Sequence, residues 1–349
     1  MTETEPNSDP SPGASTGDSD SFDPPARRRF TIGGCLFKIL LLLLLLVVGV
    51  WLVQRWMIPN VDADRTRPVV INEGSPETRQ KDSADGVEPL NLPEGAVTAT
   101  VNQDMFDQAE HPFDPLLKLA ELSLQEIDEN IKDYTATLIS QVRIGEKVKD
   151  EKYLALKIRH ARTEGKKKIP FSVYTLFLKP QANVGQEAIW VEGQNNDNLI
   201  GHANGLMNIK RFYLSPDGPI AMEGNRYPIR LIGMRNLIVK MVDMAKDERE
   251  YGECTVTLKR NVEVNGRLCT MFEAAHPVKR DYFDFHIARI YIDDNHNIPV
   301  AYEGFLWPEE EGDEPPLLER YFYTDIKFNV GLTDKDFDPS NEEYNYPKW

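Results

Sequence analysis

The feature that most constrains this chain is one apolar run. Between Phe30 and Val53 only Thr31 and Lys38 are polar, and the stretch from Ile39 to Val53 is unbroken. A helix of about 20 apolar residues spans the hydrocarbon core of a bilayer, so residues 30–57 read as one transmembrane helix. Lys38 lies near its start, where the ammonium can snorkel toward Arg27, Arg28 and Arg29, while Trp51 and Trp56 mark the opposite interface. A cleaved signal peptide also places basic residues before an apolar core, but the small-residue site Val61-Asp62-Ala63 falls well beyond it. Gly33-Gly34-Cys35 resembles the end of a lipobox, yet the apolar core follows the cysteine instead of preceding it. A retained anchor is therefore expected. Basic residues favour the N-terminal flank, which places the N-terminus in the cytoplasm and the rest outside the cytoplasmic membrane, in the periplasm if the cell is bacterial.

The flanks of this run differ from a folded domain. Residues 1–29 are rich in Ser, Asp, Pro and Gly with little to bury, and read as a disordered tail. Residues 58–109 carry Pro59, Pro68, Pro76, Pro89 and Pro93 among charges without sustained periodicity, and read as an extended linker. The folded domain is left to residues 110–349. Net charge is −16, which argues against nucleic-acid binding through the phosphate backbone, because that requires a basic face. Half of the excess lies between Glu309 and Trp349, where twelve acids meet four bases. Three cysteines are too few for a disulfide scaffold, and Cys35 sits in the apolar run.

Within the domain the hydrophobic period changes in a definite order. Asp114 reads as an N-cap, Pro115 suits the first helical turn, and Leu117, Ala120, Leu124, Ile127 and Ile131 recur at three and four residues. From Ala136 the period becomes two, through Leu138, Ser140, Val142 and Ile144, then Leu154, Leu156 and Ile158. Further strand-like runs cover 171–178, 187–192, 198–203 and 209–214. A second helix follows Pro228, with Met234, Leu237, Ile238, Met241 and Ala245 on one face, and strands resume at 254–264, 267–275, 285–292, 298–307 and 319–329. Asn265-Gly266 marks a hairpin in which Cys269 faces Val262 and Cys254 falls near Pro277, so the two cysteines do not bridge within it. Without βαβ alternation the class is α+β: a large curled antiparallel sheet of about 10–11 strands with roughly two or three helices.

No catalytic signature is present: the chain lacks GxSxG, Walker A, HExxH, GxGxxG and CxxC patterns, and no enzyme, cofactor or metal is expected. Asp293, Asn295 and Asn297 imitate half of an EF-hand loop, but Ile298 stands where Gly is needed and Gly304 where Glu is needed, so a polar hairpin tip is expected. His202, His276 and His286 have no partner at a spacing that would orient them. Glu309-Glu310-Glu311 and Lys166-Lys167-Lys168 read as solvated turns.

The informative feature is apolar. In 171–178, Phe171, Val173 and Phe177 share one parity while Tyr174, Leu176 and Leu178 share the other, more than a sheet covered on one side requires. Met222, Met234, Met241 and Met244 cluster around the second helix, and thioethers suit variable apolar contacts. Two readings follow: both faces pack into one core, or one face lines a lipid-sized cavity. For the cavity, the expected lining is Leu138, Leu156, Val173 and Ile189 with Met241 from the covering helix.

The stretch from Pro115 to Phe337, with Asn130-Ile131-Lys132-Asp133-Tyr134, Trp190-Val191-Glu192-Gly193 and Arg226-Tyr227-Pro228-Ile229, resembles a bacterial family of membrane-anchored or secreted proteins, the domain of unknown function 1571. More distantly, Ile290-Tyr291-Ile292-Asp293 through Val300, then Tyr323 to Asn329 and Phe337, is similar to the end of the lipoprotein-localisation carriers and receptors (LolA/LolB-like). That resemblance implies a half-barrel around helices, with acyl chains held in an apolar cavity. Two functions are expected to compete: a non-enzymatic extracytoplasmic domain that binds a lipid, acyl chain or lipoprotein, and a protein-interaction or envelope-sensing module on the same fold. The oligomeric state is not legible.

Overall fold

The computed structural model describes residues 41, 42, 44, 45, 47, 48, 63–73 and 109–348. The six described residues between 41 and 48 are helical, and among the described residues no helix is long and apolar enough to cross a membrane. The expected tail (1–29), most of the expected transmembrane span (30–57) and most of the expected linker (58–109) lie outside the described residues.

Two helices form where the 3.6-residue period predicts them. Helix α1 spans Asp114–Asn130 and buries Leu119, Ser123 and Ile127, one residue per turn, with Leu117, Ala120 and Leu124 half-buried beside them. Phe113, not Asp114, precedes its first turn; Asp114 accepts a hydrogen bond from the His111 amide at 3.0 Å and pairs with Arg249 at 2.7 Å. Helix α2 spans Met234–Arg249 and buries Met234 and Ile238. Its first amides would be orphaned, since the N-cap residue is Gly233 and gives no side-chain cap. Tyrosines from the sheet satisfy them: the Met234 amide donates to the Tyr134 hydroxyl at 3.0 Å and the Gly233 amide to that of Tyr323 at 3.2 Å. Gly233 has φ of 128°, and a Cβ there would meet the Tyr134 hydroxyl at 3.2 Å, so the close seating of α2 depends on glycine.

The strands are β1 (Ile71–Glu73), β2 (Asp133–Ile144), β3 (Lys147–Val148), β4 (Lys152–Arg159), β5 (Arg162–Glu164), β6 (Lys167–Ile169), β7 (Ser172–Lys179), β8 (Glu187–Val191), β9 (Leu199–His202), β10 (Arg211–Leu214), β11 (Thr255–Val264), β12 (Arg267–Ala275), β13 (Ile287–Asp293), β14 (Ile298–Phe305) and β15 (Leu317–Phe328). All but β5 and β6 join one antiparallel sheet, ordered β1-β11-β12-β13-β14-β15-β2-β4-β7-β8-β9-β10, with β3 paired to β2. The ends β1 and β10 do not pair, so the sheet is open. Two meanders meet at its centre, where β15 pairs with β2, each a strand of 12 residues. The hairpin at Asn265-Gly266 sets Val262 opposite Cys269 as expected. A bulge between Lys259 and Val262, with Asn261 at φ of 59°, then shifts the register so that Thr255 faces Ala275.

One observation differs from the sequence expectation, and a second agrees with the expected packing of both sheet faces. Part of the expected linker is a strap on the domain: β1 adds to the edge at β11, Arg65 donates to Thr137 Oγ1 at 3.2 Å, and Lys179 donates to the Thr66 carbonyl at 2.7 Å. A lone edge strand leaves unpaired amides, and this proline-bounded segment pairs with it. The sheet is also covered on both faces. The inner face packs under α1, α2 and the irregular segment 215–233; the outer face of β7, β8 and β9 packs under the C-terminal segment, with Tyr174, Ile189, Val191 and Ile200 against Phe337 and Tyr346. Tyr174 stacks on Tyr344 at 4.3 Å, and Arg159–Asp334 (2.7 Å) and Lys157–Asp336 (2.8 Å) pin the same segment.

Candidate functional site

Register decides which side chains share the inner face. Tyr321 lies opposite Ser140, Tyr323 opposite Leu138, Leu138 opposite Leu154, and Leu154 opposite Phe177, so these align in rows beneath the covering elements. Three spaces open under the covers. A helix cavity of about 70 Å³ lies between α1, α2 and strands β12–β14, lined by Leu116, Met241, Met244, Phe272, Ile290 and Tyr302. A central cavity of about 270 Å³ lies between α2, the segment 224–233 and strands β2, β4 and β15, lined by Leu138, Leu154, Ile232, Leu237, Tyr321 and Tyr323. A distal groove of about 720 Å³ runs beneath 220–232 over β4 to β10, past Thr175, Phe177, Ala188, Phe212, Leu214 and Ile220.

Of the expected lining residues, Leu138 faces the central cavity and Met241 the helix cavity. Leu156 and Val173 are buried on the same inner face and join the main core with Ile158 and Trp190, but line none of these three spaces. Ile189 lies on the other side: it pairs with Tyr174 while Val173 pairs with Trp190, and a one-residue change of parity turns a strand side chain to the opposite face. Its burial comes from Phe337 and Tyr346.

A polar cluster stands between the cavities. Glu319, 3% exposed, accepts hydrogen bonds from Tyr227 at 3.1 Å and Tyr321 at 3.0 Å and approaches Arg226 at 2.9 Å. Burial pushes its carboxyl above the usual range, opposed by the Arg226 charge and the tyrosine hydrogen bonds. Burial, with the nearby Glu319 charge, pushes the Tyr227 phenol up to about 12. Lys152 is also on this wall: its Nζ donates to the Gly224 carbonyl and to Asn225 Oδ1, both at 2.7 Å, and burial pulls its pKa down. The cluster thus joins sheet to cover through Arg226, Tyr227, Gly224 and Asn225. Sequence inspection missed these residues, although a signal existed: Lys152 and Glu319 hold the inward parity of strands that otherwise read Leu154-Leu156-Ile158 and Tyr321-Tyr323.

Other buried titratable groups are paired locally. His276, fully buried, lies 3.2 Å from Glu248 and stacks on Phe283 at 3.8 Å. The hairpin tip at Asp293 is buried, not merely solvated: the side chain pairs with Arg267 at 2.6 Å and His296 at 3.1 Å. Cys254 and Cys269 are both free, and burial raises the Cys254 thiol to about 11, which disfavours a nucleophilic thiolate. Among the described residues no group of three or more His, Cys, Asp or Glu is arranged to hold a metal ion.

Comparison with curated proteins finds no match. Among solved structures, a DUF1329 family protein from Desulfovibrio piger shares 14% identity at a TM-score of 0.33, covering 65% of this chain and 98% of that one. An outer membrane lipoprotein-sorting protein domain, described as putative in its name, from Vibrio parahaemolyticus shares 14% at 0.32, covering 64% and 95%. The complex of MucA and MucB from Pseudomonas aeruginosa contains a chain similar at 13% and 0.34, covering 63% and 60%. Likeness at this level transfers no activity and no ligand. The sequence itself is decisive at family level: residues 131–346 match the family described as "Protein of unknown function (DUF1571)", and the chain belongs to that family.

Proposed function

We propose that this protein is a non-enzymatic extracytoplasmic binding domain, anchored by its N-terminal apolar segment, that holds a lipid or acyl chain, free or on a lipoprotein, between the inner sheet face and its cover. The observation that carries the reading is the central cavity, whose walls include Leu138, Leu154, Leu237 and Tyr323 and whose cover is α2 with the segment 224–233, regular only in the 3-10 turn Ile229–Leu231. Apolar spaces of this kind bury most of a ligand's surface with few polar groups to orient it. The test is uptake of a fluorescent acyl probe, dansyl-undecanoic acid, by the full chain held in amphipol. Saturable one-to-one uptake, abolished by Leu138→Asp in a variant with unchanged circular dichroism, is the expected result. Absent uptake, or full uptake by a folded Leu138→Asp protein, contradicts it.

The protein-interaction reading has its own observation. At the open edge, β10 and the preceding turn leave Leu206, Met207, Ile209 and Tyr213 each at least half exposed. Exposed apolar side chains beside an unpaired strand suit strand addition by a partner. Cross-linking in membranes through p-benzoylphenylalanine at Ile209 discriminates: a discrete protein adduct supports this reading, and lipid adducts alone support the first.

A further inference from the structure

Lys152 is an anomaly within the acyl site. Long cations on strands normally place the ammonium in water or on a carboxylate. Here the side chain takes the inward parity of β4, opposite Ser140, and lines both the central cavity and the distal groove. Its hydrogen-bond partners are two neutral oxygens of the cover, the Gly224 carbonyl and Asn225 Oδ1. Asn225 is oriented for this by donating its amide to the Ala221 carbonyl at 3.0 Å, and a Cβ at Gly224, where φ is 66°, would stand 3.3 Å from Lys152 Nζ. The surrounding carboxylates are otherwise placed: Glu319 is occupied by Arg226 and two tyrosines, Glu187 of the distal groove is buried and accepts from the Asn345 amide, and Asp150, Glu223 and Asp243 sit exposed at the rim, Glu223 acting on Lys152 only through space. Of the cations lining these two spaces, Lys149 and Lys240 are exposed at the rim and Arg226 faces Glu319, so Lys152 is the half-buried one hydrogen-bonded to neutral groups.

We propose that Lys152 is the head-group contact of this site and takes the carboxylate of a single-chain fatty acid whose tail lies along Leu138, Leu154 and Tyr323. The proposal rests on the acyl-binding reading above. A monoanion matches the single half-buried ammonium: Lys149 and Lys240 stand exposed at the rim of these spaces, and Arg226 is already committed to Glu319. The ligand carboxylate would replace one of the neutral oxygens, exchanging a neutral acceptor for a charge-assisted one, which is the stronger bond in a low-dielectric setting.

The experiment compares dodecanoate with methyl dodecanoate by displacement of a bound fluorescent acyl probe from the full chain in amphipol, for the wild type, Lys152→Met and Lys152→Arg. The wild type is expected to bind the acid about tenfold or more tightly than the ester. Lys152→Met is expected to bring the two affinities together, with the larger loss on the acid, and Lys152→Arg to retain the preference. A wild type that binds both equally, or a Lys152→Met protein that keeps the preference, overturns the assignment while leaving the acyl site standing. Failure of both ligands to bind the wild type overturns the acyl site and the assignment together. Should Lys152→Met not fold, the wild-type ratio and Lys152→Arg still decide the matter.

Discussion

One sheet is covered in two different ways, and the contrast locates its capacity. Over β12 to β14 the covers are α1 and α2, whose regularly spaced apolar residues fill the inner face until about 70 Å³ remains. Over β2 to β10 the cover is 215–233, joined over the central cavity by one side of α2, and spaces of about 270 Å³ and about 720 Å³ remain. The cause lies in the covering sequence. A helix presents a stripe of side chains that interlocks with a sheet; the segment 215–233 contains Pro216, Gly218, Pro219, Gly224, Pro228 and Gly233, which break the period, so its large side chains, Ile220, Tyr227, Ile229 and Ile232 among them, are not set in one stripe. Room for a ligand is thus found where the cover cannot be regular.

The contrast can be sharpened by substitution on each side. Phe272, 1% exposed in the helix-covered half, should cost about 3–5 kcal/mol when replaced by Ala, because a large ring leaves a cavity that helices cannot collapse into. Leu231, 46% exposed at the edge of the central cavity, should cost under about 1 kcal/mol as Leu231→Ala while weakening acyl-probe uptake. Chemical denaturation and probe titration of the same two proteins check the pair. Equal destabilisation, or loss of uptake confined to Phe272→Ala, would break the distinction.

The junction between the covers gives an intermediate effect. Gly233 ends the irregular segment and opens α2, and Gly233→Ala should destabilise by about 1–3 kcal/mol from its left-handed backbone and the contact with the Tyr134 hydroxyl. The denaturant midpoint reads it; an unchanged midpoint would mean that α2 shifts freely on the sheet.

The smallest effect comes from the outer cover, which is held by charge. Arg159, with Lys167, lowers the Asp334 carboxyl. Burial pushes Asp336 up, but the Lys157 and Thr333 hydrogen bonds outweigh it and leave that carboxyl lowered too. Carboxylates lowered on folding stabilise above the ordinary value near 3.8 and lose that contribution as pH falls through their folded values. Asp334 is two-thirds exposed, so its share is screened to well under about 1 kcal/mol. Denaturation between pH 5 and pH 2 should show a stability loss that Asp336→Asn flattens; an identical pH profile for the variant would remove this role.

Much of the architecture was legible because periodicity carries it. Ile127 and Ile238 lie in the stripes expected from helical spacing, although the face that α1 buries is centred on Leu119 and Ser123 and leaves the expected Leu117, Ala120 and Leu124 half-buried, and the Asn265-Gly266 turn sets its own register. The outer cover was not legible: Phe337 and Tyr346 lie in an acidic stretch with no period, and what buries them is a sheet face more than a hundred residues earlier. That cover accounts for the second apolar parity of β7 without any ligand, and it removes Ile189 from the inner face. The strap at 63–73 was hidden for the same reason, since a three-residue edge strand has too short a pattern to read. Lys152 and Glu319 give no signal by spacing to other charges; what marks them is their inward parity in otherwise apolar strands.

The central claim is that an acyl chain lies under the irregular cover, and photolabelling tests it most directly. The full chain in amphipol would be irradiated with a diazirine-bearing dodecanoate and the adducts mapped by peptide mass spectrometry, with and without excess dodecanoate. Competed labels on peptides containing Leu138, Leu154, Ile232 or Tyr323 are the predicted result. Labels confined to Phe272, Ile290 and α1, labels on the outer face at Ile189 and Phe337, or labelling that excess dodecanoate does not suppress would contradict it.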